Sequence, residues 1–74
     1  MSFSKWIRSR MEKKKLNASE LARALSLSPA AISHWLNDRN LPKPATKEEL
    51  PEILGVSLAE VLLIVHQTEL RRAK

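Results

Sequence analysis

This 74-residue sequence has no cysteine and a single glycine. Without cysteine there is no disulfide framework and no thiolate metal site, which fits a reducing cytoplasm. One glycine cannot build a glycine-rich phosphate loop. The two histidines, His34 and His66, fall in different segments without H-x-x-x-H spacing, so no metal site is expected. The longest apolar run, Val61 to Val65, is far shorter than the roughly 18 residues that suggest a membrane span. The opening "MSFSKWIRSR" lacks the apolar core of a secretory signal.

What is present is helix-forming and basic. The length suits one small domain, residues 1–74, whose stability is modest unless a partner adds core. Thirteen Lys and Arg against eight Asp and Glu give a net charge of +5, and the pI is about 10.1. A small basic domain invites an acidic partner, most often nucleic acid, although the same charge also serves a solvated surface. The cations are uneven: Lys5, Arg8, Arg10 and Lys13 to Lys15 crowd the start, Arg39, Lys43 and Lys47 the middle, and Arg71, Arg72 and Lys74 the end.

Ala, Leu, Glu, Lys and Arg dominate and no strand-like alternation occurs, so five helical segments are expected. The first covers about Ser4 to Lys15, with Phe3, Ile7 and Met11 on one face, Trp6 partly buried beside them, and Lys13 to Lys15 suiting the final turn. The second follows the cap Asn17, with Glu20 completing a capping box, and ends near Leu25. The third follows the cap Ser28, with Pro29 at its first position and Ile32, Trp35 and Leu36 toward the core. Asn37 and Asp38 end it. "RNLPKPA" reads as a turn. Thr46 is expected to cap a fourth helix that kinks or restarts near Leu50 or Pro51 and stops at Gly55. Ser57 caps a fifth, Leu58 to about Arg72. Its stripe Leu58, Val61, Leu62 and Val65 is assigned to the core. A second stripe, Ala59, Leu63, His66 and Leu70, is assigned to a subunit contact; the alternative is that the domain wraps around it.

No catalytic residue is assigned. Ser4, Ser28 and Ser57 read as caps, and Glu48, Glu49 and Glu52 as a solvated helix start. The sequence offers no case for an enzyme and implies no cofactor, no small-molecule ligand and no membrane partner.

The informative constellation is the second and third helices joined by "SLS". Short helices joined by so brief a turn follow the helix-turn-helix plan. Ala22 supplies the small residue at the close approach, Leu21, Leu25 and Leu27 flank it, and Ile32 and Trp35 bury one face of the second helix. "LNASELARALSLSPAAISHWLNDRNLP" and "LPEILGVSLAEVL" resemble the Cro/C1-type family of lambda-repressor-like proteins over nearly the whole chain.

The resemblance implies an all-α, five-helix DNA-binding domain, a dimer on a palindromic operator, with the third helix in the major groove of double-stranded DNA. Carried over by position, Ser28, Pro29, Ala30 and Ser33 face bases, with His34 at the edge. Ala18 or Ser19, through backbone N–H groups, and Asn37, Asn40 and Lys43 meet phosphates, and Arg39 belongs to the same surface. Ala18 stands where the family often has Gln, and Ser26 where the turn usually has Gly, a strain of roughly 1–2 kcal/mol if φ is positive.

The third departure is chemical. Bidentate Arg, Asn or Gln contacts are each worth about 1–3 kcal/mol of base discrimination, and Pro29, Ala30 and Ala31 cannot make them. Thymine methyl groups and close approach to the groove remain open to them. Ser28, Ser33, His34 and Asn37 are the polar readers, with further weight on phosphates and DNA shape. The expected function is a phage or bacterial transcription repressor, cytoplasmic and on the nucleoid. The alternatives are an interaction module on the same fold, such as an antitoxin or accessory phage protein acting through the fifth helix, or the N-terminal part of a longer repressor, since "TELRRAK" reads as a helix running into a tail.

Overall fold

The structure, a computed structural model, describes residues 2–72. Five helices follow one another: α1 (Phe3–Lys14), α2 (Ala18–Ala24), α3 (Pro29–Leu36), α4 (Pro44–Leu54) and α5 (Leu58–Arg72). No strand occurs among the described residues. The expected all-α architecture is therefore observed.

Local chemistry accounts for most of the helix starts. The Asn17 side chain accepts from the Glu20 N–H at 2.8 Å, and the Asn17 N–H donates to the Glu20 carboxylate at 3.0 Å, a complete capping box. Ser28 Oγ accepts from the Ala31 N–H, with Pro29 at the first helical position. Ser57 Oγ accepts from the Glu60 N–H at 3.1 Å. Two expected caps differ. Ser2, not Ser4, caps α1; Ser4 is buried in the first turn, its hydroxyl 3.2 Å from that of Ser2. Helix α4 begins at Pro44 after Lys43 rather than after Thr46. A proline at the first helical position brings the right φ and lacks only an N–H that would have no helical partner.

The same helix runs through Pro51 to Leu54 without a restart. Pro51 cannot donate to the Lys47 carbonyl, a defect that costs about 3 kcal/mol in an isolated helix. Full burial of Leu50 and Leu54 on either side holds the turn in place.

Four helices close on a residue with positive φ: Lys15, Ser26, Asp38 and Gly55. Three of the four lack glycine. At each of those three, the following N–H reaches back five residues to the helix, as in Leu27 N–H to Ala22 O at 2.8 Å. This is the paired closing pattern usually built on glycine.

The core gathers Phe3, Trp6, Ile7 and Met11 of α1 against the inner faces of the other four helices. Trp6, expected to be partly buried, is sealed, and its indole N–H donates to Glu60 Oε2 at 2.8 Å. Arg10 pairs with the same oxygen at 3.1 Å, tying α1 to α5.

The buried stripe of α5 also differs from expectation. Val61, Val65 and Thr68 face the core, whereas Leu58 and Leu62 are 42 % and 45 % exposed. Thr68 explains the rotation. Its hydroxyl accepts from the Phe3 N–H and donates to the Ile64 carbonyl, both at 2.9 Å, so a polar residue fills a core position with every group satisfied. Leu36, expected in the core, is half-buried at its margin.

Candidate nucleic-acid interface

The turn between α2 and α3 is closed by its own backbone. Ser26 has φ +59°, and its N–H donates to Arg23 O at 3.2 Å beside the Leu27–Ala22 bond. Leu27 then packs on the core, which sets the direction in which α3 leaves.

Helix α3 is fixed from inside. Ile32 is fully buried and Trp35 is 4 % exposed. The Trp35 ring meets Phe3 edge-on, centroids 5.8 Å apart, and Phe3 stacks at a tilt on Trp6 at the same separation. At about 100° per residue, Ala30, Ser33 and Asn37 lie opposite Ile32 and Trp35, and Pro29 lies to one side of them in the first turn. All four are exposed. They form one solvent-facing stripe along the length of α3, with Ser28 exposed at its start and His34 half-buried on its edge.

The remaining sequence-derived site residues lie on the elements that flank α3 in the chain. Ala18 and Ser19 open α2; Ala18 is half-buried against the core and Ser19 is exposed. Arg39, Asn40 and Lys43 are exposed in the segment between α3 and α4. Ala31 does not join the stripe. It lines a hollow of about 390 Å³ with Leu27, Trp35, Asn40, Leu41, Lys43 and Thr46.

The polar side chains on the stripe are bonded locally. Asn37 Nδ2 donates to the Ser33 carbonyl at 2.9 Å and lies 3.4 Å from Ser33 Oγ. His34 Nδ1 is 3.2 Å from Asn40 Nδ2, linking the helix to the loop that follows. Two arginines that sequence reasoning did not place here hold the C-terminal end of α3. Arg8 of α1 donates to Leu36 O at 3.5 Å and Arg72 of α5 donates to Asp38 O. Cations at a helix C-terminus complement its dipole. These pairs join residues 28 and 34 positions apart, so no local pattern in the sequence announces them.

The family model described as helix-turn-helix matches residues 7–61, a span that includes the whole α2–turn–α3 unit. This chain belongs to the Cro/C1-type helix-turn-helix family. No curated protein and no solved structure matches it. As a Cro/C1-type chain it is a DNA-binding helix-turn-helix regulator, and α2 with α3 is the unit that defines the family. Among the described residues, no helix is long and apolar enough to cross a membrane, and no group of three or more His, Cys, Asp or Glu could hold a metal ion.

Proposed function

We propose that this chain is a sequence-specific repressor that binds a palindromic operator as a homodimer, with residues 1–74 as its DNA-binding domain and α3 in the major groove. The observation that carries the reading is the stripe Pro29, Ala30, Ser33 and Asn37, exposed along a helix whose opposite side is locked by Ile32 and Trp35. A helix anchored on one side and small on the other can enter a groove about 12 Å wide without rearrangement. Ser28 and His34 extend the base-facing set.

Phosphates flanking the groove are assigned to Arg39, Asn40 and Lys43 on one side and to the backbone N–H groups of Ala18 and Ser19 on the other. The net charge of +5 favours the encounter. A domain bound in this way acts by occupying its site, which is the physical basis for repression, and its place of action is the nucleoid in the cytoplasm.

The dimer contact is assigned to the outer face of α5. Ala59, Leu63, His66 and Leu70 are all exposed there, with Leu63 at 55 % and Leu70 at 56 %. Leu58 and Leu62 widen the same apolar face. A two-fold contact uses the same patch on both copies, and half-sites about 34–36 Å apart follow from one turn of duplex.

Gel-shift titration against a pool of random duplexes, with sequencing of the bound fraction, tests the proposal. It predicts an enriched two-fold symmetric site and an affinity that falls steeply with salt. Arg39 and Lys43 of two protomers alone correspond to a log–log slope of about −3.6 at roughly −0.9 per phosphate neutralised. A salt-independent interaction, or a bound fraction as random as the input, would refute it.

A further inference from the structure

We propose that the start of α3 reads the C5-methyl groups of pyrimidines, which in unmodified DNA means thymine. The inference rests on the placement of α3 in the major groove and deepens it.

Four observations converge. First, α3 has the sequence PAAISHWL and contains no Arg, Lys, Gln or Glu. The side chains that most often recognise guanine O6 and N7, or adenine N6 and N7, are therefore missing from the helix. Second, the leading exposed positions are Pro29 and Ala30. Helix-turn-helix recognition helices contact base edges with their N-terminal residues, and these two present only carbon.

Third, the polar side chains nearby are each held by a local bond, which limits how far they reach toward the base edges. Ser28 Oγ accepts from the Ala31 N–H as the helix cap. The Asn37 amide nitrogen donates one of its N–H bonds to the Ser33 carbonyl. That carbonyl can only accept, so the donor is Nδ2, and the bond turns the amide toward its own helix, leaving one N–H and Oδ1 for other partners. His34 faces Asn40. Fourth, both leading residues are small, so the helix backbone can approach the base edges closely. Ring and methyl carbons then meet whatever apolar group the groove offers. The C5-methyl of thymine is the one apolar group that unmodified base pairs present in the major groove.

Cytosine in the same place lacks the methyl and shows an amine that nothing on Pro29 or Ala30 can accept. Thymine O4 is equally without a partner on this surface, so the discrimination between thymine and cytosine comes from burying the methyl. Specificity arises from a carbon surface rather than from a hydrogen-bond code.

The test uses the unaltered protein and changes only the DNA. Duplexes recovered from a random pool are resynthesised with deoxyuridine replacing thymine, one position at a time and symmetrically in both half-sites. Uracil keeps every hydrogen-bonding group of thymine and loses only the methyl. Loss of one methyl contact is expected to weaken binding about fourfold, from the roughly 0.8 kcal/mol of a buried methylene-sized group. A symmetric pair should cost about fifteenfold.

The effect should be confined to one or two thymines per half-site. In an Ala30→Gly variant it should shrink at the position that Ala30 faces, which separates direct contact from a change in DNA shape. Undiminished affinity with uracil at every thymine overturns methyl reading while leaving DNA binding intact, as does a selected half-site without thymine. Failure to enrich any sequence overturns the proposed function itself, a different and recognisable result.

Discussion

The turn that aims α3 carries a measurable strain. Ser26 adopts φ +59°, a conformation that costs an L-residue roughly 1–2 kcal/mol. Ser26 is exposed and its backbone bonds, to Arg23 O and through Leu27 to Ala22 O, do not involve the side chain. Replacing it by glycine therefore removes the strain and no contact. The unfolded glycine chain is more flexible, which takes back about 0.4–1 kcal/mol. The net expectation for Ser26→Gly is a gain of about 0.5–1 kcal/mol.

For a domain of this size that is a rise in Tm of about 2–8 °C. Urea unfolding followed by fluorescence of the buried Trp6 and Trp35 should show a higher midpoint at an unchanged slope. Gly55 provides the mirror experiment. It has φ +68°, and an added Cβ would meet only the flexible Lys14 tail, at 3.1 Å. Gly55→Ala should therefore lose about 0.5–1 kcal/mol net, the backbone strain less the stiffening of the unfolded chain. If Gly55→Ala destabilises while Ser26→Gly does nothing or weakens the fold, the strain argument for the turn is wrong.

Further expectations concern the faces of the other helices. Leu63→Glu or Leu70→Glu should leave the far-ultraviolet spectrum unchanged, shift the protein to monomer in sedimentation, and weaken operator binding; a parent that is monomeric at high concentration removes the premise. Val61→Ala should cost about 2 kcal/mol in denaturant unfolding, because two methyl groups leave a filled core. Leu58→Ala should stay within about 0.5 kcal/mol, as surface positions do; equal costs would place the α5 stripe wrongly. Lys43→Ala should weaken binding to all duplexes alike and make the log–log salt slope shallower by about one unit per contact. A change in preferred sequence instead would move Lys43 from phosphate to base.

Much of the architecture was legible because it is written in caps and periodicity. Asn17 with Glu20, Ser28 with Pro29, and Ser57 each mark a helix start that the structure places there. Ile32 and Trp35 carry the spacing of a helix buried on one side, and that alone orients Ala30, Ser33 and Asn37 outward, while Pro29 is exposed at the helix start. The errors share a cause, which is tertiary satisfaction of a local misfit. Pro51 sits inside α4 because Leu50 and Leu54 are anchored. Thr68 turns α5 because Phe3 N–H supplies its partner from 65 residues away. The arginine contacts on the end of α3 are likewise long-range. A single helical repeat in the sequence contains no trace of them.

The most direct test of the central claim is amide NMR of labelled protein titrated with the selected duplex. If α3 is the reading element, the largest shifts fall on Ala30, Ser33 and Asn37 and on the flanking Ser19, Arg39 and Asn40. Shifts that leave those residues unmoved and gather on the outer face of α5, around Ala59, Leu63 and His66, would contradict the claim and make α5 the working surface.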